Sequence, residues 1–190
     1  MIQFDRDTHT YTEDGVRVPS VTQILAWLYP SKYAGIPEEV LKDAAEYGNR
    51  IHEWVEHFVI TGRKKRQTDY MRLSTYQAVE MINARDIQIE SVEKIISGKG
   101  YAGMYDMYGS VEGKSAVIDI KTTAKLDEEY LAWQLGMYSK ALRESGLPVE
   151  EHYCLWLPKS ALAQFVRILP KTDEEIDWLV FRYEQEHHTD

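Results

Sequence analysis

Tyr101-Ala-Gly103-Met-Tyr-Asp106-Met-Tyr-Gly-Ser-Val111, a Glu112-Gly113 pair, and Ser115-Ala-Val117-Ile-Asp119-Ile-Lys121 decide how this chain is read. The spacing predicts a β-hairpin, with one strand from Tyr101 to Val111 and the next from Ser115 to Lys121. Side chains alternate faces along a strand, so Asp119 and Lys121 point one way and Ile118 and Ile120 the other, toward an apolar layer. An acid and a lysine at the end of an apolar strand cost free energy unless they pair with each other or with a metal. A divalent cation held by Asp106 and Asp119, with Lys121 beside it, accounts for all three groups; a purely structural Asp119–Lys121 ion pair is the plainer reading. The backbone carbonyl of Ile120 stands between the two and is available as a further oxygen ligand.

Composition sets the frame around this hairpin. The chain has 190 residues, 44% hydrophobic and 28% charged, the profile of one globular domain large enough to bury a core. No apolar run approaches the roughly 20 residues that span a bilayer, and the opening Met-Ile-Gln-Phe-Asp lacks the pattern of a signal peptide. The lone cysteine, Cys154, excludes a disulfide framework or a four-cysteine metal site within the chain. It reads as a buried strand thiol, and a cytoplasmic location is expected. A formal net charge of −9 argues against general electrostatic coating of nucleic acid, but leaves room for an enzyme that engages phosphate locally. Arg63-Lys64-Lys65-Arg66 is the sharpest basic cluster, a solvated loop by itself and a backbone contact beside a phosphate-cutting site.

The remaining pattern alternates strands and helices. Ile2 to Val18 reads as a small hairpin with an Asp14-Gly15 turn. Ser20 and Gln23 form a capping box for a short helix that Pro30 ends. A helix from Pro37 to about Thr61 stops at Gly62, and another covers Leu73 to Ala84. After a strand from Ile87 to Ile96 and the hairpin, Asp127 caps a long helix from Glu128 to about Ser145, with a stripe of Leu131, Leu135, Tyr138 and Leu142. Strands at His152–Leu157 and Ala163–Leu169 and a helix from Asp173 to about Glu186 complete the chain. The expected fold is α/β, a mixed central β-sheet flanked by helices, with an N-terminal β-hairpin.

Hydrolysis of a phosphodiester needs an activated water and charge stabilisation at phosphorus, and Mg2+ or Mn2+ on hard oxygen ligands supplies both. In chain order stand Gly48-Asn-Arg-Ile-His52 on an early helix, Glu93 in Val92-Glu-Lys-Ile, Gly103-Met-Tyr-Asp106, Asp119-Ile-Lys121-Thr-Thr, and Gln134-Leu-Gly-Met-Tyr138. Together they resemble the PD-(D/E)XK nucleases of the RecB-like branch, close to the small stand-alone exonucleases of phages and mitochondria. Thr8-His9-Thr-Tyr11 and Pro19-Ser-Val-Thr22 are similar to phage members of that group.

The resemblance implies a restriction-endonuclease-like core spanning residues 1–190 as one domain. It implies metal ligation by His52, Asp106, Asp119 and the Ile120 carbonyl, with Lys121 catalytic. Glu93 is implied as a further acid acting on the metal through water, or as the partner of a nearby base. Gln134 and Tyr138 would support the site or the DNA. The expected activity is Mg2+- or Mn2+-dependent exonucleolytic cleavage at DNA ends or in single strands, serving recombination, repair or replication, with an oligomer or a recombination-protein partner open. A structure-selective endonuclease and a non-catalytic DNA-binding or scaffold module are the alternatives. Each residue alone has a plainer role: His52 as a satisfied core histidine, Tyr138 as packing, Gln134 as the edge of an apolar stripe.

Overall fold

Two-residue turns organise both hairpins. Asp14 and Gly15 have φ of 49° and 84°, and Glu112 and Gly113 have φ of 52° and 79°. Positive φ at both central residues is the type I′ geometry, whose twist matches that of the flanking strands. The computed structural model describes residues 2–5, 8 and 10–187, apart from the side chain of Tyr70; His9 of the opening motif lies outside the described residues. The expected N-terminal hairpin is β2 (Thr10–Glu13) with β3 (Val16–Val18), and β1 (Ile2–Asp5) pairs with β2 to make a three-stranded antiparallel sheet.

Helix α1 (Val21–Leu28) starts at the expected capping box: the Gln23 amide donates to Ser20 Oγ at 3.0 Å, and the Ser20 amide to Gln23 Oε1 at 2.8 Å. Helix α2 (Glu38–Thr61) ends at Gly62, whose φ of 66° is left-handed and suits glycine. Helix α3 (Arg72–Ala84) leads into the main sheet: β4 (Ile87–Gly98), β5 (Tyr101–Val111), β6 (Lys114–Lys121), β7 (Glu151–Trp156) and β8 (Gln164–Arg167), in that order across it. All neighbours are antiparallel except β6 and β7, which run parallel and are joined by α4 (Glu128–Glu144). Helix α5 (Asp173–His187) follows, with Thr172 and Glu175 exchanging bonds at its start. The fold is thus the expected mixed sheet between helices.

Each face of the sheet carries its own core. Val117 and Cys154 face Ile24 and Leu25 of α1, Leu131, Leu135 and Tyr138 of α4, and Ile176 of α5. Ile118, Ile120 and Leu155 face Ile51, Trp54 and Val55 of α2 and Ala78 and Val79 of α3. The alternation that puts Ile118 and Ile120 against α2 puts Asp119 and Lys121 on the α4 side.

Pairing between β5 and β6 runs from Val111↔Lys114 to Met107↔Ile118 and stops there. Beyond that point β5 stays with β4 as far as Gly98↔Tyr101. Its free edge meets the start of α1 instead, through a parallel bridge of Ser20 with Ala102 and an Ala102 N–H to Pro19 O bond of 2.9 Å. The sheet therefore splits between β5 and β6 at the level of Asp106 and Asp119.

Candidate active site

The split leaves a backbone donor on β6 without a strand partner, and a side chain takes it. The Ile120 amide donates to Asp106 Oδ2 at 2.7 Å. The same carboxylate oxygen lies 3.5 Å from Nδ1 of His52, on α2. Helix α2 reaches this close because Gly48, one turn before His52, faces the end of β6: a Cβ there would lie 3.2 Å from Thr122 Oγ1. Asp119, only 3% exposed, takes a hydrogen bond from Lys121 Nζ to Oδ1 at 3.0 Å. Its Oδ2 is 2.7 Å from the same nitrogen, but at an angle outside a hydrogen bond, so that buried oxygen has no aligned donor. His52, Asp106 and Lys121 keep 27%, 20% and 23% of their side-chain surface open, so the cluster is reachable from solvent while Asp119 lies beneath it.

Charges in the cluster balance in pairs. Burial raises the Asp119 carboxyl, as does the negative Asp106, and against the pull of Lys121 it stands at about 6. Burial also opposes ionisation of Asp106, yet His52, Lys121 and the Ile120 amide together hold its carboxyl below the usual range. His52 is pushed down by burial and up more strongly by Asp106, so its net shift is upward. Lys121, despite burial, is raised by Asp119 and Asp106 and stays protonated at any working pH.

Helix α4 supplies the other wall. Gln134 Nε2 donates to the Tyr138 hydroxyl at 3.3 Å, and Gln134 Oε1 is buried without a partner. The Tyr138 ring lies over Gly103, where a Cβ would approach Tyr138 Cε1 to 2.7 Å and Val21 Cγ2 to 3.1 Å. Glycine at this position is what lets the ring seat between β5 and α1.

The structure thus brings His52, Asp106, Asp119, Ile120 and Lys121 into one cluster, with Gln134 and Tyr138 paired on α4. Glu93 stands apart from the ion pairs. It is exposed, adopts a left-handed φ of 44° within β4, and borders a cavity of about 460 Å³ that it shares with Tyr11, Gly103 and Tyr138. Arg63 to Arg66 lie in the loop after α2. Lys65 pairs with Glu53, and its carbonyl accepts from Trp54 Nε1 at 2.8 Å. Lys65 and Arg66 line a separate notch of about 380 Å³ with Arg50 and Trp54. Residues two apart on a helix point to nearly opposite sides, so this notch is on the far side of α2 from His52.

Two contributors were hidden in the sequence: Arg50, a turn before Trp54 on the notch face, and Tyr130, four residues before Gln134 on the same stripe of α4. The helical spacing was the signal for Tyr130. Cys154 is buried on β7, its thiol pushed well up by burial, as expected of an inert strand cysteine. Among the described residues no three His, Cys, Asp or Glu side chains converge into a ready-made metal cage, and no helix is long and apolar enough to cross a membrane.

No protein-family profile and no curated protein matches the chain. Among solved structures it is similar to the crystal structure of SSO0001, with 16% identity, a TM-score of 0.49, and 90% of this chain and 76% of that one covered. It is also similar to an alkaline exonuclease, LHK-Exo, from Laribacter hongkongensis, with 12% identity, a TM-score of 0.44, and 73% and 78% covered.

Proposed function

We propose that this chain is a Mg2+- or Mn2+-dependent deoxyribonuclease of the PD-(D/E)XK type, RecB-like branch, working as an exonuclease on DNA ends or single strands. The observation that carries the reading is the split between β5 and β6. It gathers two carboxylates, an imidazole and a protonated lysine into one part-exposed cluster, drawn from the motifs in their chain order. The donor set suits a hard divalent ion: carboxylate oxygens and one imidazole, with Asp119 Oδ2 lacking an aligned donor.

His52, Asp106, Asp119 and the Ile120 carbonyl would hold the ion, which when bound supplies Lewis acidity toward a phosphate diester. Lys121 acts as a fixed positive charge rather than a base, because its two acid neighbours keep it protonated; it faces the oxygens on which charge builds during displacement. Asp106 ties β6 to His52 through the Ile120 amide, so ligand and lysine positions are set by one backbone bond. Gln134 and Tyr138 fix the α4 wall, and Glu93 borders the cavity behind it. Arg63, Lys64, Lys65 and Arg66, with Arg50, take the backbone of DNA leaving over α2.

The test is cleavage of end-labelled single- and double-stranded DNA with Mg2+, Mn2+ or chelator. Metal-stimulated loss of label is expected from the wild type, and a drop on the order of 10²-fold or more from folded Asp119→Asn or Lys121→Ala. Equal cleavage by these variants sinks the site assignment. Cutting of covalently closed circular DNA moves the reading to an endonuclease, and binding without cleavage in any metal moves it to a scaffold module.

A further inference from the structure

Tyr130, Gln134 and Tyr138 follow each other at four-residue spacing and form one stripe on α4. The second and third belong to the candidate site. Tyr130 opens instead into a second cavity, of about 550 Å³, lined also by Thr22, Ala26, Tyr29, Lys32 and Tyr33. Thr22 borders both this cavity and the one against Tyr138, so the two are neighbours along α1.

The wall facing Tyr130 is held in shape by successive turns. Lys32 N–H bonds Tyr29 O at 3.1 Å, Ala34 N–H bonds Ser31 O at 3.1 Å, and Ile36 N–H bonds Tyr33 O at 3.3 Å. Tyr29 and Tyr130 have ring centroids 6.0 Å apart, tilted by 45°. Lys32 Nζ lies 3.9 Å above the Tyr130 ring and also pairs with Asp127. Tyr33 is 55% exposed at the mouth. Burial pushes the Tyr130 hydroxyl up to about 12, and Lys121, Tyr33 and Asp119 all act on it; Tyr130 is thus in electrostatic reach of both the acid–lysine cluster and the cleft.

Three tyrosines around an open cavity, with one ammonium group at the edge, match a flat heteroaromatic ring attached to an anion. We propose that this cleft, between the loop after α1 and the first turn of α4, holds one unpaired nucleobase of the strand being cut, stacked on Tyr29, Tyr33 and Tyr130, with Lys32 at the adjoining phosphate. The inference rests on the nuclease reading and deepens it. A base still paired and stacked in a duplex does not offer both faces to tyrosine rings, so the substrate class is a single strand or a frayed end.

Binding of a short, fluorescein-labelled single-stranded deoxyoligonucleotide is measured by anisotropy in Ca2+, alongside cleavage of the same strand in Mn2+. Tyr33→Ala, at an exposed position, and Tyr29→Leu are each expected to weaken binding about ten-fold. One abasic site, moved stepwise along the strand, is expected to weaken wild-type binding by a like factor at one position and to leave Tyr33→Ala unaffected there. Unchanged binding by Tyr33→Ala, an abasic penalty equal in variant and wild type, or no wild-type binding to the base-bearing strand overturns the cleft assignment. Cleavage that persists alongside any of those results leaves the nuclease reading intact. A base-dependent Tyr33 effect without cleavage in any metal removes the nuclease reading and keeps the cleft.

Discussion

The Ile120 amide and the Asp106 carboxylate, 2.7 Å apart, replace the strand pairing that ends at Met107↔Ile118. One side chain thus closes a gap in the sheet and also faces His52. The two roles separate by substitution. Asp106→Ala leaves a part-buried N–H without an acceptor and is expected to cost about 1–3 kcal/mol. Asp106→Asn keeps an oxygen there and is expected to cost about 1 kcal/mol less, while both are expected to lose the proposed metal-stimulated cleavage. Urea unfolding in chelator and cleavage in Mn2+ check the pair; equal destabilisation would mean the amide bond is unimportant.

Lys121→Met removes the cation beside a carboxylate that is 3% exposed. The folded Asp119 carboxyl, at about 6, already exceeds its unfolded value of 3.8. A raised acid favours the protonated fold, so stability is lost as pH rises through the folded pKa. Without Lys121 that pKa moves higher and the loss continues to higher pH, at up to about 1.4 kcal/mol per unit. The gap between variant and wild type in unfolding free energy is expected to be wider at pH 8 than at pH 5. A constant gap would show that the lysine does not compensate Asp119.

Gly103→Ala brings a Cβ to 2.7 Å from a buried Tyr138 ring. Overpacking of this kind costs about 1–3 kcal/mol, and displacement of Tyr138 is expected to lower cleavage beyond the stability loss. The double variant Gly103→Ala, Tyr138→Leu relieves the clash and should recover stability but not activity, read by thermal melting and a cleavage assay.

His152, on the α4 side of β7, is buried with Nε2 unpartnered, and burial, aided by Arg143, holds it down at about 4. Its folded pKa lies below the ordinary 6.5, so the unfolded chain takes up the proton first. Stability is unaffected above pH 6.5 and falls as pH drops from there toward 4. At pH 5 the loss is about 2 kcal/mol relative to pH 7.5. His152→Phe should flatten that stretch of the denaturation profile, and an unchanged slope would assign it to another group.

Caps and turns were legible because they are local. Ser20 with Gln23, Gly62, Glu112-Gly113 and Asp127 each announce themselves within four residues, and the structure places each as expected. The alternation in β6 also foretold that Asp119 and Lys121 would share a face. What the sequence hid depends on how distant segments meet. Nothing near Asp106 says that β5 and β6 part at its level. Tyr29, Tyr33 and Tyr130 come from opposite ends of a long stretch of chain. The left-handed φ at Glu93 falls within β4, just past the register shift between Ile89 and Ser91, and no glycine marks it. His52 was identifiable only by its order among the other motifs, since a helical histidine beside Trp54 is ordinarily core.

Helix α1 runs between the tyrosine-lined cavity and the Tyr138 side of the candidate site. Its start is fastened to β5 at Ala102, beside Gly103, and its far end carries Tyr29 and the loop to Tyr33. Eight residues of helix make a stiff rod of about 12 Å. Under the proposed activity that rod is a ruler. It fixes how many nucleotides separate the held base from the bond that breaks, and products should leave in one narrow size class.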